Sequence, residues 1–181
     1  GICFMDIIVA TNNQGKVKEI KNILYPHNVM SQSEIGVDID VEETGETFAQ
    51  NAFLKARALK GHTDCAIIAD DSGLMVDYLN GEPGVYSARY AGDNTTPEQG
   101  MDKLLKNLDG VPFEGRSAHF VTVIALIMPD GTEYSFEGRC DGYITNIKKG
   151  ENGFGFDPIF YYPPLGKTFA ELTDDEKNSV S

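Results

Sequence analysis

M-D-I-I-V-A-T-N-N-Q-G-K, residues 5–16, is the stretch on which the reading of the fold turns. Met5 to Ala10 is a short apolar run rich in β-branched side chains. It breaks at once into the polar segment Thr11-Asn12-Asn13-Gln14-Gly15-Lys16, as a buried strand does on entering a loop. Val17, Ile20, Ile23 and Leu24 then share one helical face and Pro26 follows the last of them, so the order is strand, polar loop, helix. A second helix is expected from about Glu46 to Lys60, where Phe48, Ala52, Leu54, Ala56 and Leu59 alternate with polar positions and Gly61 offers a C-cap. Cys65 to Ala69 is another buried strand, expected to end where Asp70-Asp71-Ser72-Gly73 begins. A Gly-rich polar stretch runs from Gly81 to Thr96, and Pro97 to Leu108 has the pattern of a third helix. Ala118 to Met128 is the longest strand candidate, and Pro129-Asp130-Gly131 before Thr132 to Cys140 signals a hairpin. Helix-linked strands together with a hairpin predict an α/β fold with a mixed sheet flanked by helices.

The chain has 181 residues, of which 41% are apolar, enough for one packed core and marginal for two independent domains. One domain over 5–181 is expected, and residues 1–4 read as a remnant preceding a natural start at Met5. With 28 acidic against 15 basic residues the formal charge is −13, which argues against nucleic acid or an anionic membrane as partner. Cys3, Cys65 and Cys140 are odd in number and lack C-x-x-C spacing; they read as reduced thiols of a cytoplasmic protein. No apolar run reaches the roughly 18 residues of a membrane helix.

Thr11 to Lys16 joins a buried strand to a helix start, where free N–H groups and a lysine favour an anion, although the spacing is not that of a P-loop. A turn rich in Asn and Gly that merely caps a helix is the competing account. Two carboxylate pairs, Glu42-Glu43 and Asp70-Asp71, are expected in loops beside ordered elements. Hard oxygen ligands of this kind suit Mg²⁺, and a solvated face or a turn cap is the alternative for each. Lysines recur near these loops, Lys16, Lys55, Lys148, Lys149 and Lys177, with a merely solvated surface lysine the alternative for each. G-E-N-G-F-G-F-D at 150–157 spaces glycines with Phe154 and Phe156, either of which could stack on a base, unless the segment is a bulged core strand. His27, His62 and His119 have no metal spacing, and no G-x-S-x-G occurs. A metal, carboxylates and lysines remain, a set suited to attack of water on phosphorus.

In order along the chain stand A-T-N-N-Q-G-K-V-K-E at 10–19, E-E-T-G-E-T-F-A-Q-N-A at 42–52, A-D-D-S-G-L at 69–74, G-E-P-G-V-Y-S-A-R-Y-A-G at 81–92, G-F-G-F-D-P-I-F at 153–160 and G-K-T-F-A-E-L at 166–172. Together they resemble the inosine triphosphate pyrophosphatase family, house-cleaning enzymes acting on ITP, dITP and XTP. The resemblance implies an elongated two-lobed fold around a mixed sheet, an active site in the cleft between the lobes, and a homodimer. It implies that Thr11, Asn12, Asn13, Gln14, Gly15 and Lys16 embrace the triphosphate, with Lys55 adding a phosphate contact. Glu43 and Asp71 would hold Mg²⁺, with Asp71 also the general base and Lys16 stabilising the leaving pyrophosphate. Ser72 would touch the substrate, Phe154 would stack on the purine, Gly155, Phe156 and Asp157 would line its pocket, and Lys177 would reach the base. In the family the segment matching 178–181 continues into a His-Arg pair that helps recognise the 6-keto purine; the sequence here ends at Ser181. The rival readings are a Maf-like pyrophosphatase of pyrimidine or modified nucleotides and a nucleotide-sensing module without turnover.

Overall fold

The computed structural model describes residues 4–180; Gly1, Ile2, Cys3 and Ser181, on which the expected N-terminal remnant, one thiol and the chain end fall, lie outside the described residues. The elements are β1 (Asp6–Val9), α1 (Gln14–Leu24), β2 (Asn28–Ser31), α2 (Phe48–Ala58), β3 (Ala66–Val76), α3 (Pro97–Asn107), β4 (Ser117–Ile127), β5 (Glu133–Ile144), β6 (Phe160–Tyr162), β7 (Lys167–Thr168) and α4 (Asp174–Val180). The sheet order is β2-β1-β3-β4-β5-β6-β7, with β1 parallel to β2 and β3 and with β5, β6 and β7 antiparallel, which is the mixed sheet expected. Among the described residues no helix is long and apolar enough to cross a membrane.

Two compact units divide the chain, one of Gly1–Asp71 with Thr122–Glu137 and one of Ser72–Val121 with Gly138–Ser181. In the first unit β1 is buried on both faces. Ile8 joins Ala52, Ala56 and Leu59 of the α2 side, while Ile7 and Val9 join Val29 with Ile20 and Leu24 of α1. That double burial explains why residues 7–10 read as an unbroken apolar run rather than as an alternation. Gln32, only 4% exposed, donates its side-chain amide to the Ile39 carbonyl at 2.7 Å and so ties down the chain leading to Glu43.

In the second unit Leu74, Val76, Leu104, Leu108, Ile144, Ile159 and Phe160 form the core, with Phe120, Phe160 and Phe169 in mutual ring contact. Arg116 is buried inside it, its guanidinium donating to the carbonyls of Leu108, Val111, Ile144 and Thr145. Burial pushes that guanidinium below its usual range.

Three expectations need correction, and one open alternative is decided. The strand expected to end at Ala69 runs on to Val76, so Asp70 and Asp71 stand inside β3 and not in a loop. The polar D-D-S-G interrupts the apolar pattern, but Leu74 and Val76, both fully buried, resume it. β5, with 12 residues, is longer than β4 with 11, because the exposed positions 133–139 give it little apolar signal. The C-cap of α2 is Leu59, and Gly61, at φ +89°, serves the turn beyond it. Finally, 150–156 is loop and not a bulged strand.

Candidate active site

The loop after β1 is built by its own side chains. Thr11 Oγ1 accepts from the N–H of Asn13 at 3.1 Å, and Asn13 caps α1 by accepting from the N–H of Lys16 at 3.2 Å. This is ordinary N-cap chemistry, and it places Gln14 and Gly15 in the first turn, where helix N–H groups point toward an incoming anion. Lys16 pairs with Asp70 at 2.7 Å. Across the same unit Lys55, on α2, pairs with Glu43 at 3.1 Å. A cavity of about 160 Å³ lies here, lined among others by Thr11, Asn12, Gln32, Asp40, Glu43 and Lys55. The first unit therefore brings Thr11, Asn12, Glu43 and Lys55 to one hollow.

Asp71 is 7% exposed and accepts from Asn51 Nδ2 at 3.2 Å. Burial pushes its carboxyl from 3.8 up to about 6, and the negative field of Glu43 adds to this, with a smaller contribution from Asp70. The Asn51 hydrogen bond and the Lys55 charge act in the opposite direction. A carboxylate tuned toward neutrality can take a proton from water and release it again near pH 7.

Among the described residues no three His, Cys, Asp or Glu side chains converge as a metal cage. Mg²⁺ does not require one, since it commonly takes one or two carboxylates and completes its shell with water and substrate oxygens. Glu43 and Asp71 fit that need: both are hard oxygen donors, and the repulsion between them, visible in the raised Asp71 pKa, is what a bound cation would relieve.

The second unit holds the other expected residues. Ser72 is exposed on β3. Phe154 is 74% exposed, whereas Phe156 is 6% exposed and belongs to the core, so of the two rings only Phe154 is presented for stacking. Asp157, 4% exposed, accepts from the N–H of Phe154 at 3.0 Å and from Lys177 Nζ at 2.5 Å. Lys177 also lies 4.5 Å from the centroid of the Phe154 ring, a cation–π contact. Gly155, at φ +60°, supplies the left-handed turn between the two phenylalanines. Phe154, Asp157 and Lys177 thus form one cluster with a ring face available to an aromatic ligand.

A model of the Ham1 family matches residues 7–181. The chain belongs to the Ham1 family. This Ham1 chain is 51% identical over 179 residues to a Thermoanaerobacter sp. (strain X514) protein called dITP/XTP pyrophosphatase, covering 98% of this chain and 90% of that one. It is 51% identical over 176 residues to a Staphylococcus epidermidis (strain ATCC 35984) protein of the same name, covering 97% and 89%. Its fold is similar to that of the Staphylococcus aureus Ham1 protein, with a TM-score of 0.89, 48% identity and coverage of 97% and 91%.

Sequence reasoning gave no role to Asn51 or Gln32 of this Ham1 chain. The signal for Asn51 was present: an amide falls on the helix side that carries Phe48, Ala52 and Ala56, where a polar residue needs a reason to be buried. Gln32 carries no comparable signal in Ser31-Gln32-Ser33, since only the return of the chain at Ile39 reveals its partner.

Proposed function

We propose that this Ham1-family chain hydrolyses the non-standard purine nucleoside triphosphates ITP, dITP and XTP to the monophosphate and pyrophosphate. The names of its relatives support that activity, and a Maf-like pyrimidine preference finds no support among them. The observation that carries the reading is Asp71, a buried carboxyl raised to about 6, in the same unit as the Lys16–Asp70 and Lys55–Glu43 pairs.

Glu43 and Asp71 would hold Mg²⁺, which when bound supplies charge neutralisation to the phosphates. Asp71, one oxygen engaged by Asn51, uses the other to orient a water and accept its proton. The water oxygen bonds to the α phosphorus as the bond to the α,β-bridging oxygen breaks, and that oxygen departs with pyrophosphate. Lys16 leaves Asp70 to neutralise the departing charge, and Lys55 and the N–H groups opening α1 hold the remaining phosphate oxygens. Phe154 stacks on the purine beside Lys177 and Asp157. The family resemblance further supports a homodimer, and thiols without disulfide or zinc spacing support the cytoplasm.

The test is pyrophosphate release from ITP, XTP, GTP, ATP and dTTP with Mg²⁺. Fast release from ITP and XTP with little from ATP and GTP is expected; preference for dTTP, or binding without release, overturns the reading.

A further inference from the structure

We infer that Asn51 is a positioning residue that couples the loop carrying Glu43 to the carboxylate of Asp71. The inference rests on the roles given above to those two residues. Asn51 is 1% exposed on the buried side of α2. A primary amide left unpaired there would destabilise the fold, so its retention calls for partners. Both ends are engaged: Oδ1 accepts from the N–H of Gly45 at 2.7 Å, and Nδ2 donates to Asp71 Oδ2 at 3.2 Å. A backbone N–H can only donate, so it fixes which end of the amide faces Gly45, and the NH₂ group is thereby aimed at Asp71. One bond holds the backbone two residues beyond Glu43; the other holds one oxygen of Asp71 and so sets the direction of its second oxygen.

Two further observations separate this tie from ordinary helix capping. The start of α2 is secured without Asn51, because Thr47 accepts from the N–H of Gln50 at 3.1 Å and Gln50 Oε1 accepts from the N–H of Glu46 at 2.7 Å. Gly45 is not among the residues with positive φ, yet a Cβ there would meet Asn51 Oδ1 and Gln50 Cβ, each at 2.7 Å. The glycine is required by the closeness of the Asn51 amide and of Gln50 Cβ, not by backbone conformation. Groups that orient metal or catalytic ligands from behind typically matter by about 10–100-fold in affinity or rate.

The experiment compares wild type, Asn51→Asp, Asn51→Ala and Gly45→Ala. Readouts are kcat and KM for ITP at saturating Mg²⁺ and, without nucleotide, the Mg²⁺ concentration that half-saturates the melting-temperature shift. Asn51→Asp keeps the acceptor for Gly45 and removes the donor to Asp71; its kcat should fall about 10–100-fold with KM within about threefold of wild type. Gly45→Ala, which crowds the Asn51 amide together with Gln50 Cβ and adds no charge, should lower kcat in the same sense and raise the Mg²⁺ midpoint about tenfold. Combined with Asn51→Asp it should lose less than the sum of the two effects. Unchanged kcat in Asn51→Asp, or kcat, KM and melting temperature moving in step, overturns the inference. Should Asn51→Ala not fold, Asn51→Asp and Gly45→Ala decide. Should wild type release no pyrophosphate, the functional reading falls, and the Mg²⁺ midpoints alone decide the coupling: a shift in Gly45→Ala that shrinks in the Asn51→Asp background sustains it, and identical midpoints or an undiminished shift overturn it.

Discussion

Lys16 and Asp70 meet at 2.7 Å, so the lysine proposed to receive the departing phosphates is held by a carboxylate before any substrate arrives. Substrate must then displace Asp70 from Lys16. The pair is partly exposed, at 29% and 12% of the side chains, and a pair of that kind contributes no more than about 1 kcal/mol to stability. Lys16→Ala should therefore leave the melting temperature nearly unchanged while lowering kcat/KM for ITP by about 100-fold, the scale of a lost charge-stabilising contact. Asp70→Asn frees the lysine and should not raise KM. Steady-state kinetics of both variants check this, and a KM increase in Asp70→Asn would show that Asp70 serves the substrate directly.

Asp71 carries a pH signature with a definite sign. Its carboxyl titrates at about 6 in the folded chain against 3.8 ordinarily, so its contribution to stability is fully present below pH 3.8 and is lost as pH rises through about 6. Asp71→Asn removes the loss. In EDTA at pH 7.5 the variant should be more stable than wild type by about 1–2 kcal/mol, the raw shift being discounted for solvent screening, and the difference should vanish near pH 4. Calorimetry from pH 4 to 8 measures it. Turnover should drop by several orders of magnitude in the same variant, and near-normal turnover would remove Asp71 from the chemistry.

Much of the fold was legible because burial and apolarity coincide in it. Ile7, Ile8 and Val9 are covered on both sides, and the polar break at Thr11 marks the loop unmistakably. Asp70 and Asp71 show where that logic stops: four polar residues in a row read as loop, yet β3 passes through them to reach Leu74 and Val76. α4 escaped notice because Asp174-Asp175-Glu176-Lys177 has no apolar stripe. For the candidate site, residue types and order were readable, but pairings were not. Nothing local to Lys16 announces Asp70, and nothing local to Asn51 announces Asp71, since each partner comes from another element.

Phe154 and Phe156 stand on either side of Gly155; by residue type either could stack on a base, and the family resemblance chose Phe154. The structure separates them: Phe154 is 74% exposed, whereas Phe156 is buried, with room for only a methyl between its ring and Gly100. Phe154→Ala should raise KM for ITP, losing about 1–3 kcal/mol of stacking, with the melting temperature unchanged. Phe156→Ala should instead cost about 3–5 kcal/mol of stability. Thermal melts and ITP kinetics on both variants check the assignment; a raised KM without loss of stability in Phe156→Ala would reverse it.

Gly153 is the point at which the Phe154, Asp157 and Lys177 cluster is most vulnerable. It sits at φ +77°, where side chains other than hydrogen are disfavoured, and an added Cβ would lie 2.1 Å from Asp157 Oδ2. That oxygen is the one accepting from both the Phe154 N–H and Lys177 Nζ, so displacing it loosens the ring and the lysine together. Gly153→Ala should lower stability by about 1–3 kcal/mol, from strain and from polar groups left without partners. It should also raise KM for ITP more than it lowers kcat, because the altered residues would hold the base and not the phosphates. Asp157→Asn, which keeps an acceptor for the N–H but removes the charge facing Lys177, should show the KM effect with less loss of stability. Denaturant titrations paired with ITP kinetics test both, and a kcat defect at unchanged KM would place this cluster in the chemistry instead of in base binding.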